Sequence, residues 1–361
     1  ASGVARRPIV DFDAYRRELE RFVFRSGSLM RPVFSAAARD PKRIVYAEGE
    51  DERVLRAAQT LVDDRIAHPI LLGRHDRVAA KIKDMGLRLD VGRSVTVLDP
   101  ARDHDTFDRL IPEYQRLAGR RGIPPESAAR RIATRGSVAA AMLLHAGLAD
   151  AAICGGTADW WRQIQYILPI VPRRSDVNRI YALSALIIPT GVLFICDTYM
   201  VVDPTAEQIT EMTLLAAEAV RGFGVIPKAA LVSHSSFGAS DSESARKMRR
   251  ALGMIRDRAP RLEIDGEMHA DAALVAAIRD RAVSDSQLTG SANLLIMPTL
   301  DAANIAFNLL KAAADGLPVG PILLGMSKPI HVVVPSVTAR GIVNLSALAV
   351  VEAQSHKARG G

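Results

Sequence analysis

The feature that most constrains this chain is an alternation. From Lys42 onward, short apolar or β-branched runs at 43–47, 69–73, 94–98, 149–155, 192–197, 229–233, 293–297 and 331–334 read as strands. Helical periodicity occupies 51–63, 75–85, 105–119, 126–147, 205–223, 242–257, 270–279 and 302–314, and falls between most of them. Strands that are apolar throughout and separated by helices belong in a largely parallel sheet covered on both faces, so the pattern predicts an α/β fold. Ligands of such sheets lie beyond the carboxyl ends of the strands. At 361 residues the chain is long enough for about two domains. Helix starts are marked by Asp203-Pro204-Thr205, where Asp203 or Thr205 caps, and by Pro124-Pro125-Glu126. The second of these helices carries Arg130, Arg131 and Arg135, with Arg131 and Arg135 on one face.

Composition removes several function classes. The chain is 48% hydrophobic and 24% charged, which excludes a disordered chain, and its 5% aromatic content is too low for a base-stacking single-strand nucleic-acid platform. The net charge of +7 suggests an anionic partner, yet +5 of it sits in residues 1–43, ten Arg or Lys against five acids. The apolar stretches 137–154 and 182–196 are interrupted by His145 and Asp150, or by Pro189 and Gly191, short of the ~18 apolar residues a membrane span needs. No membrane or nucleic-acid partner and a soluble, cytoplasmic protein are therefore expected, with Cys154 and Cys196 as buried thiols. The opening Ala1-Ser2-Gly3 reads as a scar on a fragment cut from a longer polypeptide. Residues 11–39 read as an amphipathic lead-in of two helical pieces, apolar at Phe12, Tyr15, Leu19, Phe22 and Val23, broken near Ser26-Gly27-Ser28, and apolar again at Leu29, Met30, Val33 and Phe34.

Familiar catalytic motifs are missing. Gly222-Phe223-Gly224 runs on into Val225-Ile226-Pro227 without the third glycine of a dinucleotide loop, and no P-loop, HExxH, GxSxG or close Cys/His cluster occurs. No metal site is expected. Ser233-His234-Ser235-Ser236-Phe237-Gly238 follows a strand and reads either as a capped turn or as a ligand loop.

Six runs, in order, carry a resemblance. They are 44–58, beginning Ile44-Val45-Tyr46-Ala47-Glu48-Gly49-Glu50; Gly156-Thr157-Ala158-Asp159 leading to Arg162; Asp203-Pro204-Thr205-Ala206-Glu207-Gln208; Asp265-Gly266 leading to Asp271-Ala272-Ala273; 298–304; and 320–325 closing on Lys328-Pro329. Over about residues 42–355 the chain resembles the phosphotransacetylases, the phosphate acetyl/butyryltransferases. The resemblance implies two α/β/α domains with a cleft between them, active members moving acetyl between CoA and phosphate. The expected division is a connector over 1–41, a first domain from 42–165 plus 322–361, and a second over 166–321.

That reaction needs a base for the CoA thiol, cations for phosphate and a donor to the developing oxyanion. In active members a Ser-Arg-Gly run soon after the Lys-Pro and an Asp a few residues on fill those roles. Here an ungapped count puts Val334 at the serine, Pro335 at the arginine and Gly341 at the aspartate, so the resemblance implies no catalytic residue. Thr299 replaces a usual Asp, and Val201-Val202 replace Asn-Pro. Arg162 remains where the family places a ligand-binding arginine, or else pairs with Asp159. Ser336, Thr338 and Arg340 read as a helix start with ordinary caps or as anion binders. With Ser233, Ser235, Asn304 and Lys328 they complete the expected anion-binding set.

The lead-in and the run 335–344, Pro335-Ser336-Val337-Thr338-Ala339-Arg340-Gly341-Ile342-Val343-Asn344, bring the resemblance closer to the C-terminal part of large bacterial NADP-dependent malic enzymes. What it implies is a regulatory and oligomerising module that binds acetyl-CoA as inhibitor and needs no cofactor itself. NADP and a divalent metal would belong to the malic domains of the same chain. The module would pair as a homodimer within a higher oligomer. An active acyltransferase and a purely structural dimerisation module are the alternatives. Arg120, Arg121, Arg130, Arg131, Arg173, Arg174 and Arg179 are candidate anchors for CoA phosphates, or solvated faces.

Overall fold

The computed structural model describes residues 29–156 and 159–359. The apolar positions Phe12 to Val23 of the expected lead-in lie outside them, while 29–37 are helical. The strands are β1 (Lys42–Tyr46), β2 (Ala67–Leu72), β3 (Thr96–Leu98), β4 (Ala151–Gly155), β5 (Tyr181–Ile188), β6 (Gly191–Cys196), β7 (Lys228–Val232), β8 (Glu263–Met268), β9 (Leu294–Ile296), β10 (Leu317–Leu324) and β11 (Ile330–Val333). They form two sheets, ordered β11-β4-β1-β2-β3 and β10-β5-β6-β9-β7-β8.

The first sheet is parallel throughout, as the alternation predicts. The second is mixed: β6, β9, β7 and β8 run parallel, but β5 pairs antiparallel with both β6 and β10. Its cause is local, because only Pro189 and Thr190 separate β5 from β6 and so short a link permits only a hairpin. β5, β8 and β10 were not expected. Acids interrupt β8 (EIDGEM) and Pro and Gly interrupt β10 (LPVGPILL), which hides both behind turn-like composition. The domain border expected at 321/322 falls inside β10, at the irregularity between Val319 and Ile322, and the strand pairs with β5 on either side of it.

The single helix expected over 126–147 is two, Pro125–Thr134 and Gly136–His145, with Arg135 extended between them. A Cβ on Gly136 would lie 2.5 Å from the Ala47 carbonyl oxygen, so this close approach to the end of β1 needs glycine. The last element, the helix Ala339–Arg359, packs on β1, β4 and β11, on the helix Glu52–Asp63 and on the helix Ala206–Gly222. The Tyr46 phenol and the Ser346 hydroxyl share a buried hydrogen bond across this contact, 2.7 Å long. Ile342, Leu345 and Leu348 of that helix belong to one continuous core that holds Ile44 and Tyr46 of the first sheet together with Phe194 and Leu231 of the second and Met212 of the helix Ala206–Gly222.

Candidate functional site

The carboxyl ends of β1, β4 and β11 lie side by side, and the loops that leave them form the candidate site. Gly155, at φ +90°, closes β4 where a Cβ would sit 2.6 Å from the Val333 carbonyl oxygen. The loop after β1 contains Glu48, Glu50 and Asp51. Asp51 accepts from the Arg53 backbone N–H as the cap of helix Glu52–Asp63, and its carboxylate grips the Arg53 guanidinium at 2.7 Å. Arg53 then donates to the carbonyls of Pro335 (2.7 Å), Val337 (3.1 Å) and Gly156 (3.0 Å). One side chain thus ties together all three loops, and its bond to Asp51 raises its own pKa and lowers that of Asp51. Beside it, burial pushes the Glu48 carboxyl up to about 8, only partly offset by a backbone hydrogen bond from Gly155. Glu48 and Arg53 both fall within the motif 44–58, whose sequence alone assigns neither a role. The usable signal was four acids in five positions, Glu48 to Glu52, directly after a strand.

Between the sheets a cavity of about 40 Å³ is lined by Val334, Ser336, Thr338 and Gly341 on one side and by Tyr199 and Lys311 among others on the opposite side. Ligand pockets run roughly 300–1,000 Å³, so in this conformation the cavity admits nothing the size of CoA. Pro335 is exposed, and its carbonyl belongs to Arg53. Thr338 Oγ1 accepts from the Gly341 N–H at 3.1 Å, an ordinary helix-start contact. Arg340 turns instead to the Phe34 ring, 5.2 Å away, and burial lowers its pKa.

The rest of the expected anion-binding set is dispersed. Lys328 donates to the carbonyls of Leu144 and His145, capping the end of helix Gly136–His145, and burial lowers its pKa. Ser235 donates to buried Glu267 and accepts from Ser240 N–H, while Ser233 accepts from Ser235 N–H. These bonds make the 233–238 run a turn built around the Glu267–Arg249 ion pair. Asn304 donates to the Thr198 carbonyl and accepts from Asn308. Arg162 is exposed and makes no ion pair with the described residues; Asp159, its expected partner, instead caps the helix Trp160–Ile167 through Trp161 N–H. Thr157 and Ala158 lie outside the described residues. Cys154 and Cys196 are buried free thiols, raised well above the ordinary range by burial. Among the described residues no three His, Cys, Asp or Glu gather as a metal site, and no helix is long and apolar enough to cross a membrane.

Similarity to known proteins agrees with this architecture. The chain is 49% identical over 97% of its length to the "NAD-dependent malic enzyme" of Rhizobium meliloti and 46% identical over 98% to the "NADP-dependent malic enzyme" of Escherichia coli. It covers 46% and 47% of those proteins, so it spans about half the length of the curated relatives it matches. A solved phosphotransacetylase from Streptococcus pyogenes superposes with a TM-score of 0.83 at 25% identity, over 91% of this chain and 98% of that one. A family model described as "Phosphate acetyl/butaryl transferase" matches residues 28–350, and the chain belongs to that family.

Proposed function

We propose that this chain is a regulatory and subunit-joining module of a malic enzyme, one that binds acetyl-CoA as an allosteric inhibitor and transfers no acyl group. The observation that carries this reading is the loop after β11. The positions implied for nucleophile-activating and phosphate-binding groups hold Val334, Pro335 and Gly341, and Val334 and Gly341 line the cavity without an acid, base or cation of their own. Two relatives covering nearly the whole chain are malic enzymes about twice its length, which supports a parent whose other half oxidatively decarboxylates malate to pyruvate. One is named for NAD and the other for NADP, so relatives of this half go with either nucleotide, and NADP remains the nucleotide we propose for the parent. An effector bound here shifts the parent only by its unequal affinity for two states, typically ~1–3 kcal/mol of coupling.

Two measurements test the reading. Calorimetry with acetyl-CoA is expected to give saturable binding, and a flat titration on folded protein would leave a structural module only. A coupled assay with acetyl phosphate and CoA is expected to stay at the blank rate. Turnover near 1 s⁻¹ or above would instead make the chain an acyltransferase, as the family name allows.

A further inference from the structure

We infer that a cavity on the helical face of the first sheet, enclosed by Arg130, Arg131, Arg135 and Tyr166, seats the phosphate groups of the acyl-CoA effector. The inference rests on the regulatory reading above and gives that ligand a place. The cavity measures about 330 Å³, against about 40 Å³ between the sheets. Three guanidinium groups line it, Arg130 and Arg131 from the helix Pro125–Thr134 and Arg135 from the extended break that follows.

None of the three has a carboxylate partner among the described residues, whereas Arg43, Arg53, Arg74, Arg116, Arg174 and Arg249 all meet acids. Arg135 lies 5.2 Å from the Tyr166 ring centroid, and Arg131 stands near enough to the Tyr114 phenol to lower its pKa against burial, so two of the cations lie beside aromatic residues that leave their charge uncompensated. Like charges held together repel, and a multivalent anion relieves this with charge-assisted, bidentate hydrogen bonds. CoA carries a pyrophosphate and a 3′-phosphate, a charge density that matches three arginines.

Geometry also supplies a path. Arg162 stands four residues before Tyr166 on the helix Trp160–Ile167, hence on the same face and about 6 Å along the axis. That face leads from the cavity toward the end of β4, where the loops tied by Arg53 begin. A larger cavity beside the helix Ala206–Gly222, about 400 Å³, is a poorer seat: Glu218 and Glu352 line it with Arg174, Arg221 and Lys328, its Arg174 is already paired with Asp176, and its Lys328 is held by the Leu144 and His145 carbonyls.

Titration calorimetry on the 361-residue chain tests this with acetyl-CoA, 3′-dephospho-CoA and inorganic pyrophosphate as ligands. Arg130 is exposed, and its only side-chain hydrogen bond among the described residues is the one its backbone carbonyl accepts from Thr134 Oγ1, so R130E keeps the fold; Arg120, also exposed, gives the same charge change outside the cavity as R120E. The expected result is acetyl-CoA binding weakened about tenfold or more by R130E and less than twofold by R120E, with dephospho-CoA weaker than acetyl-CoA on the unaltered chain. Equal affinities for acetyl-CoA in R130E and the unaltered chain, or equal losses in R130E and R120E, overturn the inference and leave the regulatory reading standing. If the unaltered chain binds no acetyl-CoA, the regulatory reading falls; the cavity then stands as an anion site only if pyrophosphate binds the unaltered chain and not R130E, and is overturned otherwise.

Discussion

Asp197 shows how much one side chain can organise. Its carboxylate accepts four backbone N–H groups, from Ala182, Tyr199, Met200 and Val201, at 3.0–3.1 Å. Burial pushes its pKa up to about 6 against the pull of those donors, so at neutral pH it remains a carboxylate. Asp197→Asn turns a donor toward donors and is expected to cost about 2–3 kcal/mol in urea unfolding; a loss under 0.5 kcal/mol contradicts this role. Glu48 is pushed the same way but further, so it holds its proton at neutral pH. Its folded pKa of about 8 lies above the ordinary 4.5, so the folded state holds the proton more tightly. The stability tied to that proton is full below about pH 4.5 and is lost progressively as pH rises to about 8. Glu48→Gln should flatten the decline between pH 5 and 8 and raise the unfolding midpoint at pH 8 by a few degrees, as thermal melts across that range would show.

Glycines separate the elements that were legible in the sequence from those that were not. Within the helix Glu243–Arg258, which the hydrophobic period locates to within a residue, Gly253 is exposed with no atom within 4 Å of an added Cβ. Gly253→Ala should stabilise the chain by about 0.5–1 kcal/mol. Gly136→Ala, forced against the Ala47 carbonyl, should destabilise it by about 2 kcal/mol or more, and calorimetric melting of the two variants should shift in opposite directions. Periodicity sees the first kind of glycine, because the helix is decided by its own residues. It cannot see the second, since the break at Arg135 is imposed by a strand ninety residues earlier. The same limit explains the site: Val334, Ser336 and Thr338 were placed by their neighbours in sequence, whereas the clamp through Arg53 depends on a chain separation of more than 280 residues.

At the scale of the whole molecule the two sheets share one core, joined through the helices Ala206–Gly222 and Ala339–Arg359. Chemical unfolding is therefore expected as one cooperative transition, with fluorescence of Trp160 beside the first sheet coinciding with loss of far-ultraviolet helix signal. Two separated transitions would show the sheets to be energetically independent. The alternation along the chain announced parallel sheets, but not which strand neighbours which. In the first sheet β4 is flanked by β1 and by β11, and β11 arrives some 175 residues after β4 ends. Every residue of β4 is buried in the finished fold. On a ribosome adding roughly 5–20 residues per second, the outer edge of this apolar strand waits about 10–35 s for its partner. During synthesis the nascent chain therefore carries an adhesive edge, and a stop codon placed after Gly155 and before Ile330 is expected to yield aggregates rather than a smaller working unit.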